Sequence, residues 1–142
     1  MKILIINGPN LNLLGKREPE IYGNETLSDI EFWLSKKTEA ANHEIIWFQS
    51  NHEGKIIDKI HDAMNSIDGI IINPGAFTHY AYAIRDAIAA VNIPTIEVHL
   101  SDIENREDFR KISVLKDVCS GQISGEGKIG YFEGFKILTN QE

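Results

Sequence analysis

Short β-branched runs alternate along this chain with longer amphipathic stretches, an order that leaves few architectures open. Lys2–Asn7, Glu44–Gln49 and Gly69–Asn73 read as buried strands, with residues 95–100 a fourth and 119–124 a weaker fifth. Helix candidates lie at residues 27–41, 53–65, 78–91 and 130–139, with a short one near 105–112. The first opens on Thr26-Leu27-Ser28-Asp29, a capping-box pattern, and sets Leu27, Ile30, Trp33 and Leu34 at helical spacing. The second repeats Ile56, Ile57, Ile60 and Met64 on one face. Strands apolar on both sides, alternating with helices, imply a parallel sheet covered on both faces. Right-handed crossovers then predict a five-stranded, flavodoxin-like, doubly wound α/β sheet in one domain over residues 1–142.

Composition narrows the partners. A chain of 142 residues can bury one core but falls short of a (β/α)₈ barrel, which typically needs about 250. Fourteen Lys and Arg against 21 Asp and Glu give a net charge of −7, which argues against nucleic acid or an anionic membrane as partner. A local cluster of cations can still draw a small anion. Cys119 is the sole cysteine, so no intramolecular disulfide demands an oxidising compartment. The apolar opening stops at Asn7-Gly8-Pro9-Asn10, too soon for a signal peptide, and no stretch approaches the roughly 20 apolar residues of a membrane span. The expectation is a cytoplasmic protein.

One connection departs from this regular plan. Residues 8–25 separate the first strand from the first helix, whereas such loops usually run about 2–6 residues. Gly8, Pro9, Gly15, Pro19 and Gly23 punctuate it, and Lys16, Arg17, Glu18 and Tyr22 sit within it. Rigid punctuation with a tyrosine and two cations favours a lid, placed around residues 15–25, over disorder.

In open α/β sheets ligands bind beyond the carboxyl ends of the strands, where strand order reverses. That rule gathers Asn7-Gly8-Pro9-Asn10, Gln49-Ser50-Asn51-His52, Asn73-Pro74-Gly75 through Thr78-His79, and Glu97-Val98-His99-Leu100-Ser101 on one edge. Neutral hydrogen-bonding groups of this kind suit a polyhydroxylated ligand better than a bare phosphate. The segment from Gly8 to Arg17 is no P-loop: six residues rather than four separate its glycines, and Arg17 stands where Ser or Thr would hold Mg²⁺. No dinucleotide fingerprint follows the first strand, and the clustered aspartates of a phosphorelay receiver are replaced by Asn7 and Asn73. The histidines lack metal-ligand spacing. Glu97 lies two residues before His99, so both point to one face of a strand, where a carboxylate can fix the ring and favour its charged form.

Asn7-Gly8-Pro9-Asn10-Leu11-Asn12-Leu13-Leu14-Gly15, Arg17-Glu18-Pro19 and Tyr22-Gly23 closely resemble type II 3-dehydroquinate dehydratase. The resemblance continues through Gln49-Ser50-Asn51-His52-Glu53-Gly54, Ile72-Asn73-Pro74-Gly75-Ala76-Phe77-Thr78-His79 and Ala83-Ile84-Arg85-Asp86-Ala87-Ile88. Ile96-Glu97-Val98-His99-Leu100-Ser101, Arg106-Glu107-Asp108-Phe109-Arg110 and the Gly121-Gln122-Ile123 and Gly130-Tyr131 tail complete it, so it covers essentially the whole chain. It implies dehydration of 3-dehydroquinate to 3-dehydroshikimate through an enolate, in the shikimate route or in quinate breakdown, with no metal and no cofactor. Tyr22 would be the base, Arg17 would hold it ionised, and His99 would protonate the departing hydroxyl. Asn10 would help a water stabilise the enolate oxygen. Asn73, His79, Arg110 and the backbone amides of Leu100 and Ser101 would bind substrate, with Arg106 a second lid-side anchor. Asp86 would reach a neighbouring subunit's site, in trimers that build a dodecamer.

The base assignment is physically affordable. A phenol left alone ionises near pH 10, so about one in a thousand is phenolate at pH 7. A guanidinium about 4 Å away supplies roughly 4 kcal/mol gross at an effective dielectric near 20, enough for phenolate. Read without the resemblance, Tyr22 is a solvated lid tyrosine packing on an aliphatic neighbour, and the family match reverses that reading. Departures from the pattern are Asp102-Ile103-Glu104-Asn105 after Ser101, Ala81 where Ser is common, and Glu126 between two glycines. None removes a proposed catalytic group, although the added acids near Arg106 and Arg110 would weaken anion binding or alter packing. Two other readings stay open: a flavodoxin-like FMN redox protein, and a noncatalytic binder of a related cyclic polyol.

Overall fold

Five strands, β1 (Lys2–Asn7), β2 (Glu44–Gln49), β3 (Gly69–Asn73), β4 (Thr95–His99) and β5 (Gly121–Ser124), form one parallel sheet in the order β2-β1-β3-β4-β5. The computed structural model describes residues 1–16 and 18–140, and of Ile21 and Tyr22 the main chain alone. Helices α1 (Pro19–Tyr22), α2 (Leu27–Ser35), α3 (Glu53–Asp62), α4 (Tyr82–Val91) and α5 (Ile129–Leu138) complete the fold.

Strand alternation sorts the apolar residues onto two faces. Ile3, Ile5, Ile71, Ile96 and Val98 pack with Ile30 and Leu34 of α2 and with Tyr131 and Phe135 of α5. Leu4, Ile6, Ile70 and Ile72 pack with Ile56 and Ile60 of α3 and with Ile84 and Ile88 of α4. Each such aliphatic side chain stabilises the fold by about 1.5–3 kcal/mol on full burial, which explains why all-apolar strands stay central.

The capping box forms: Thr26 Oγ1 accepts the Asp29 N–H at 3.1 Å, and the Asp29 carboxylate accepts the Thr26 N–H at 3.0 Å. The Thr26 backbone N–H, and after it the Thr26 hydroxyl, hold the Asp29 carboxyl below the ordinary carboxylate range. Helix ends are shorter than the sequence pattern predicts. α2 stops at Ser35, and a 3₁₀ turn at Thr38–Ala40 takes over. α3 stops at Asp62, which leaves Met64 off the buried face and 49% exposed. The expected helix over 78–91 is two pieces, a 3₁₀ turn at Gly75–His79 and then α4, because the Phe77 carbonyl accepts both the Tyr80 and Ala81 N–H groups and closes the first turn. The expected helix near 105–112 is likewise two 3₁₀ turns, Ile103–Asn105 and Asp108–Lys111, interrupted by extended Arg106. The fourth strand ends at His99 and the fifth begins at Gly121, each shorter than expected.

Two glycines bring the β1 and β3 ends together. Gly8 N–H donates to the Asn73 carbonyl at 2.8 Å, and a methyl at Gly8 would lie 2.4 Å from the Pro74 carbonyl oxygen. Gly75, at φ +58°, lets the opposite loop approach Pro9.

Candidate active site

A cavity of about 190 Å³ opens at the carboxyl edge, beside the β1–β3 boundary where strand order reverses. The turn after β1 contributes Pro9 and Asn10, the end of β3 contributes Asn73, and the following 3₁₀ turn contributes His79. From β4 and the chain beyond it come His99, Leu100, Ser101, Ile103, Arg106 and Arg110. Eight expected site residues therefore meet at one cavity: Asn10, Asn73, His79, His99, Leu100, Ser101, Arg106 and Arg110. Asp86 does not line it and is exposed on α4. Arg17 and the Tyr22 side chain lie outside the described residues; the loop expected to carry them contains a 3₁₀ turn at Leu11–Leu13 and α1.

Asn10 adopts a left-handed backbone, φ 69°, and its N–H donates to Asn51 Oδ1 at 3.0 Å. Gln49 Nε2 contacts that same oxygen and the Gly8 carbonyl, both at 3.1 Å, so the end of β2 braces the turn.

His99 and Glu97 form the ionisable core of the site. Glu97 is fully buried, and His99 Nε2 donates to its Oε2 at 2.5 Å, leaving Nδ1 as the second ring nitrogen of a cavity-lining residue. Burial pushes the Glu97 carboxyl upward. The hydrogen bond and charge of His99, with hydroxyl donors Thr78 and Ser113, outweigh it and hold the group below the ordinary value. Thr78 Oγ1 lies 2.5 Å from Oε2, and Ser113 Oγ lies 2.8 Å from each carboxylate oxygen. The Cys119 thiol is pushed up to about 12 by burial and by the Glu97 charge.

His79 is held differently. Its Nδ1–H donates to the Ile112 carbonyl at 2.7 Å, so Nε2 is left as the acceptor of a neutral ring. Burial lowers its pKa, the Ile112 bond opposes this, and nearby His99 and Arg110 add to the lowering.

The cations come with local partners. Arg106 Nη1 donates to Ser101 Oγ at 3.3 Å; Arg110 pairs with Glu107 and lies 4.8 Å from the Phe109 ring centroid. Asp102, one of the departures from the family pattern, caps the 3₁₀ turn: its carboxylate accepts Glu104 N–H at 3.0 Å and Asn105 Nδ2 at 2.7 Å.

A neutral network lies on the other face of the sheet. Tyr131 Oη donates to Asn7 Oδ1 at 2.5 Å and accepts from Asn73 Nδ2 at 3.1 Å, while Asn73 Oδ1 accepts the Gly75 N–H at 3.3 Å. Asn7 Nδ2 is buried with no partner among the described residues. Burial drives the Tyr131 phenol well above its usual range, so it stays protonated. Sequence reasoning missed Thr78, Ser113 and Tyr131. Thr78 and Tyr131 stood inside or beside recognised motifs, but nothing in the pattern of Ser113 set it apart.

A parallel sheet ordered 2-1-3-4-5 with a polar cavity at its carboxyl edge defines a doubly wound, flavodoxin-like α/β protein. The family model described as dehydroquinase class II matches residues 1–139, and the chain belongs to that family. It is 56% identical to a 3-dehydroquinate dehydratase of Bacillus licheniformis over 138 residues, 97% of this chain and 92% of the relative. A 3-dehydroquinate dehydratase of Caldicellulosiruptor saccharolyticus is 62% identical over 131 residues, 92% of this chain and 90% of the relative. The crystal structure of the type II dehydroquinase from Butyrivibrio crossotus superposes with a TM-score of 0.94 at 55% identity, covering 98% of this chain and 97% of that one. Membership leaves the flavin-binding alternative without support.

Proposed function

We propose that this chain catalyses the reversible dehydration of 3-dehydroquinate to 3-dehydroshikimate, a hydro-lyase step in the shikimate route to aromatic amino acids. The observation that carries the reading is the buried Glu97–His99 pair behind a cavity whose other polar lining is neutral groups and two arginines. A small polyhydroxylated acid needs that combination: hydroxyl partners, cations for one carboxylate, and one proton donor.

In this reading Tyr22, kept as phenolate by Arg17, removes the proton α to the ketone. The electron pair moves into the enolate, whose oxygen is stabilised by a water held by Asn10. Re-formation of the ketone expels the β-hydroxyl, which takes a proton from His99 Nδ1 and departs as water. Glu97, on the opposite ring nitrogen, orients the acid. Asn73, His79 Nε2 and the amides of Leu100 and Ser101 hold the ring substituents. Arg110 exchanges its Glu107 partner for the substrate carboxylate, with Arg106 beside it. Residues 15–25 act as a lid that assembles the base over substrate and keeps water out. The step uses neither metal nor cofactor. The chain works as one catalytic domain in the cytoplasm, within a dodecamer of trimers; Asp86, exposed on α4, reaches the neighbouring site.

The test is enone absorbance on addition of 3-dehydroquinate to wild type and to Tyr22→Phe. Wild type turns over, and Tyr22→Phe keeps substrate binding but loses about 10²–10⁴-fold in kcat, the usual contribution of a positioned base. Near-normal turnover in the variant removes Tyr22 from the mechanism. No enone with the wild type leaves the noncatalytic polyol binder. Borohydride should trap no substrate, and a trapped lysine adduct would replace the enolate path with an imine.

A further inference from the structure

The segment at residues 112–116 bonds to His79 and to the carboxylate behind His99. Its Ile112 carbonyl accepts the His79 Nδ1–H at 2.7 Å. One residue later, Ser113 Oγ lies 2.8 Å from both Glu97 oxygens. Val114 N–H donates to the Thr78 carbonyl at 2.7 Å, and Arg85 Nη1 of α4 donates to the Val114 carbonyl at 2.7 Å. The segment is thus pinned independently of the carboxylate it serves.

The direction of the Ser113 hydroxyl follows from its other bonds. Leu115 N–H at 3.2 Å and Lys116 N–H at 3.1 Å both donate to Ser113 Oγ. With both lone pairs engaged, the oxygen has only its proton to offer, and that proton goes to Glu97. The Thr78 hydroxyl, 2.9 Å from Ser113 Oγ, then donates to Glu97 Oε2 instead. Glu97 therefore receives three donors from three elements: His99 on its own strand, Thr78 from the 3₁₀ turn after β3, and Ser113 from the 112–116 segment.

We infer that Ser113 is a positioning residue for the proton transfer at His99, acting through Glu97. The inference rests on the reading of His99 as the acid. A carboxylate turned by only one donor swings with the imidazole; one clamped from two further sides presents a fixed oxygen to Nε2 and so fixes the direction of Nδ1. The titratable groups facing Glu97 are few: His99 on β4, His79 from the preceding turn and the Cys119 thiol ahead of β5. Neutral Gln122 stands opposite Glu97 in the β4–β5 register.

The experiment compares wild type, Ser113→Ala and Ser113→Thr, reading kcat and KM against pH by enone formation and, separately, the Glu97 carboxyl titration by carbon NMR. Ser113→Ala is expected to lower kcat about 10–100-fold with little change in KM, as losing a hydrogen bond to a charged group does. Its carboxyl titration and the acid limb of kcat should both move to higher pH, because a stabiliser of the charged form is gone. Ser113→Thr should restore both. Thr78→Val removes the other hydroxyl donor without disturbing the Leu115 and Lys116 amides, and supplies the same readout if Ser113→Ala does not fold. A carboxyl titration that stays at the wild-type pH in the alanine and valine variants overturns the inference, as does an unmoved kcat profile. His99→Asn, run alongside, separates the two claims: near-wild-type turnover there sinks the acid assignment itself, whatever the Glu97 titration shows.

Discussion

The sheet carries a buried polar network on each face, and the two are built on opposite plans. On the α3–α4 side Glu97 is a charge held by three donors, Thr78, His99 and Ser113, although Gln122 Nε2 on the neighbouring strand is buried without a partner among the described residues. On the α5 side Asn7, Tyr131 and Asn73 are neutral, and one amide nitrogen, Asn7 Nδ2, has no partner among the described residues. A buried charge is tolerated only when fully satisfied, whereas a neutral amide can leave one donor idle at a cost of about 1–3 kcal/mol. The charged network therefore governs where a proton sits, and the neutral one only where Asn73 points. Chemistry and geometry are divided between the two sides of one sheet.

Substitutions that strike one network and spare the other test this division. Glu97→Gln keeps the shape and deletes the charge; kcat should fall about 10²-fold or more with folding retained, measured by enone formation. Equal losses in kcat from a change on the α5 side would dissolve the contrast. Tyr131→Phe is that change. It strands Asn7 Oδ1 and Asn73 Nδ2 in the interior and should cost about 1–3 kcal/mol in a urea titration with unchanged slope, raising KM while the shape of the kcat–pH profile is preserved.

Acid sensitivity sharpens the comparison. Glu97 titrates below its unfolded value of 4.5, so its contribution to stability is complete above that pH and is lost as pH falls through the folded value. His79 adds an acid loss that begins at higher pH: a ring kept neutral by folding costs stability as pH drops below its ordinary 6.5. Unfolding curves collected downward from pH 7 should show both losses in wild type and in Tyr131→Phe, and only the His79 part in Glu97→Gln. The smallest effect is reserved for a site touching neither network. Lys2→Ala breaks a 3.3 Å surface pair with Glu44, and should change stability by less than about 1 kcal/mol with kcat intact.

Strands were legible because β-branched runs such as Ile70-Ile71-Ile72 have no other comfortable place, and the strand-end rule then located the cavity. Helix ends were less so. The pattern carried the third helix through Tyr80 and Ala81, but hydrogen bonds to the Phe77 carbonyl end a 3₁₀ turn there, a competition that hydrophobic spacing does not record. Glu97 was found from its two-residue offset to His99. Ser113 was not: its value comes from meeting a carboxylate 16 positions away, and an isolated serine in a loop carries no periodicity. Asp102 was read only as an added acid near the two arginines; its local part, capping the 3₁₀ turn through Glu104 and Asn105, depends on loop hydrogen bonds that spacing does not record.

The close approach of Gly8 to Pro74 has a consequence for how this site can change. The strand ends beside the cavity meet there main chain against main chain, with 2.4 Å where a methyl would have to fit. Such a junction offers no side chain for selection to exchange, and disturbing it shifts the ends of two central strands together. Variation in ligand preference is thereby steered to the rim, where Ile103, Arg106 and Arg110 stand on short turns that can be altered one residue at a time. The same geometry that makes the centre of the site reproducible makes its periphery the part open to change.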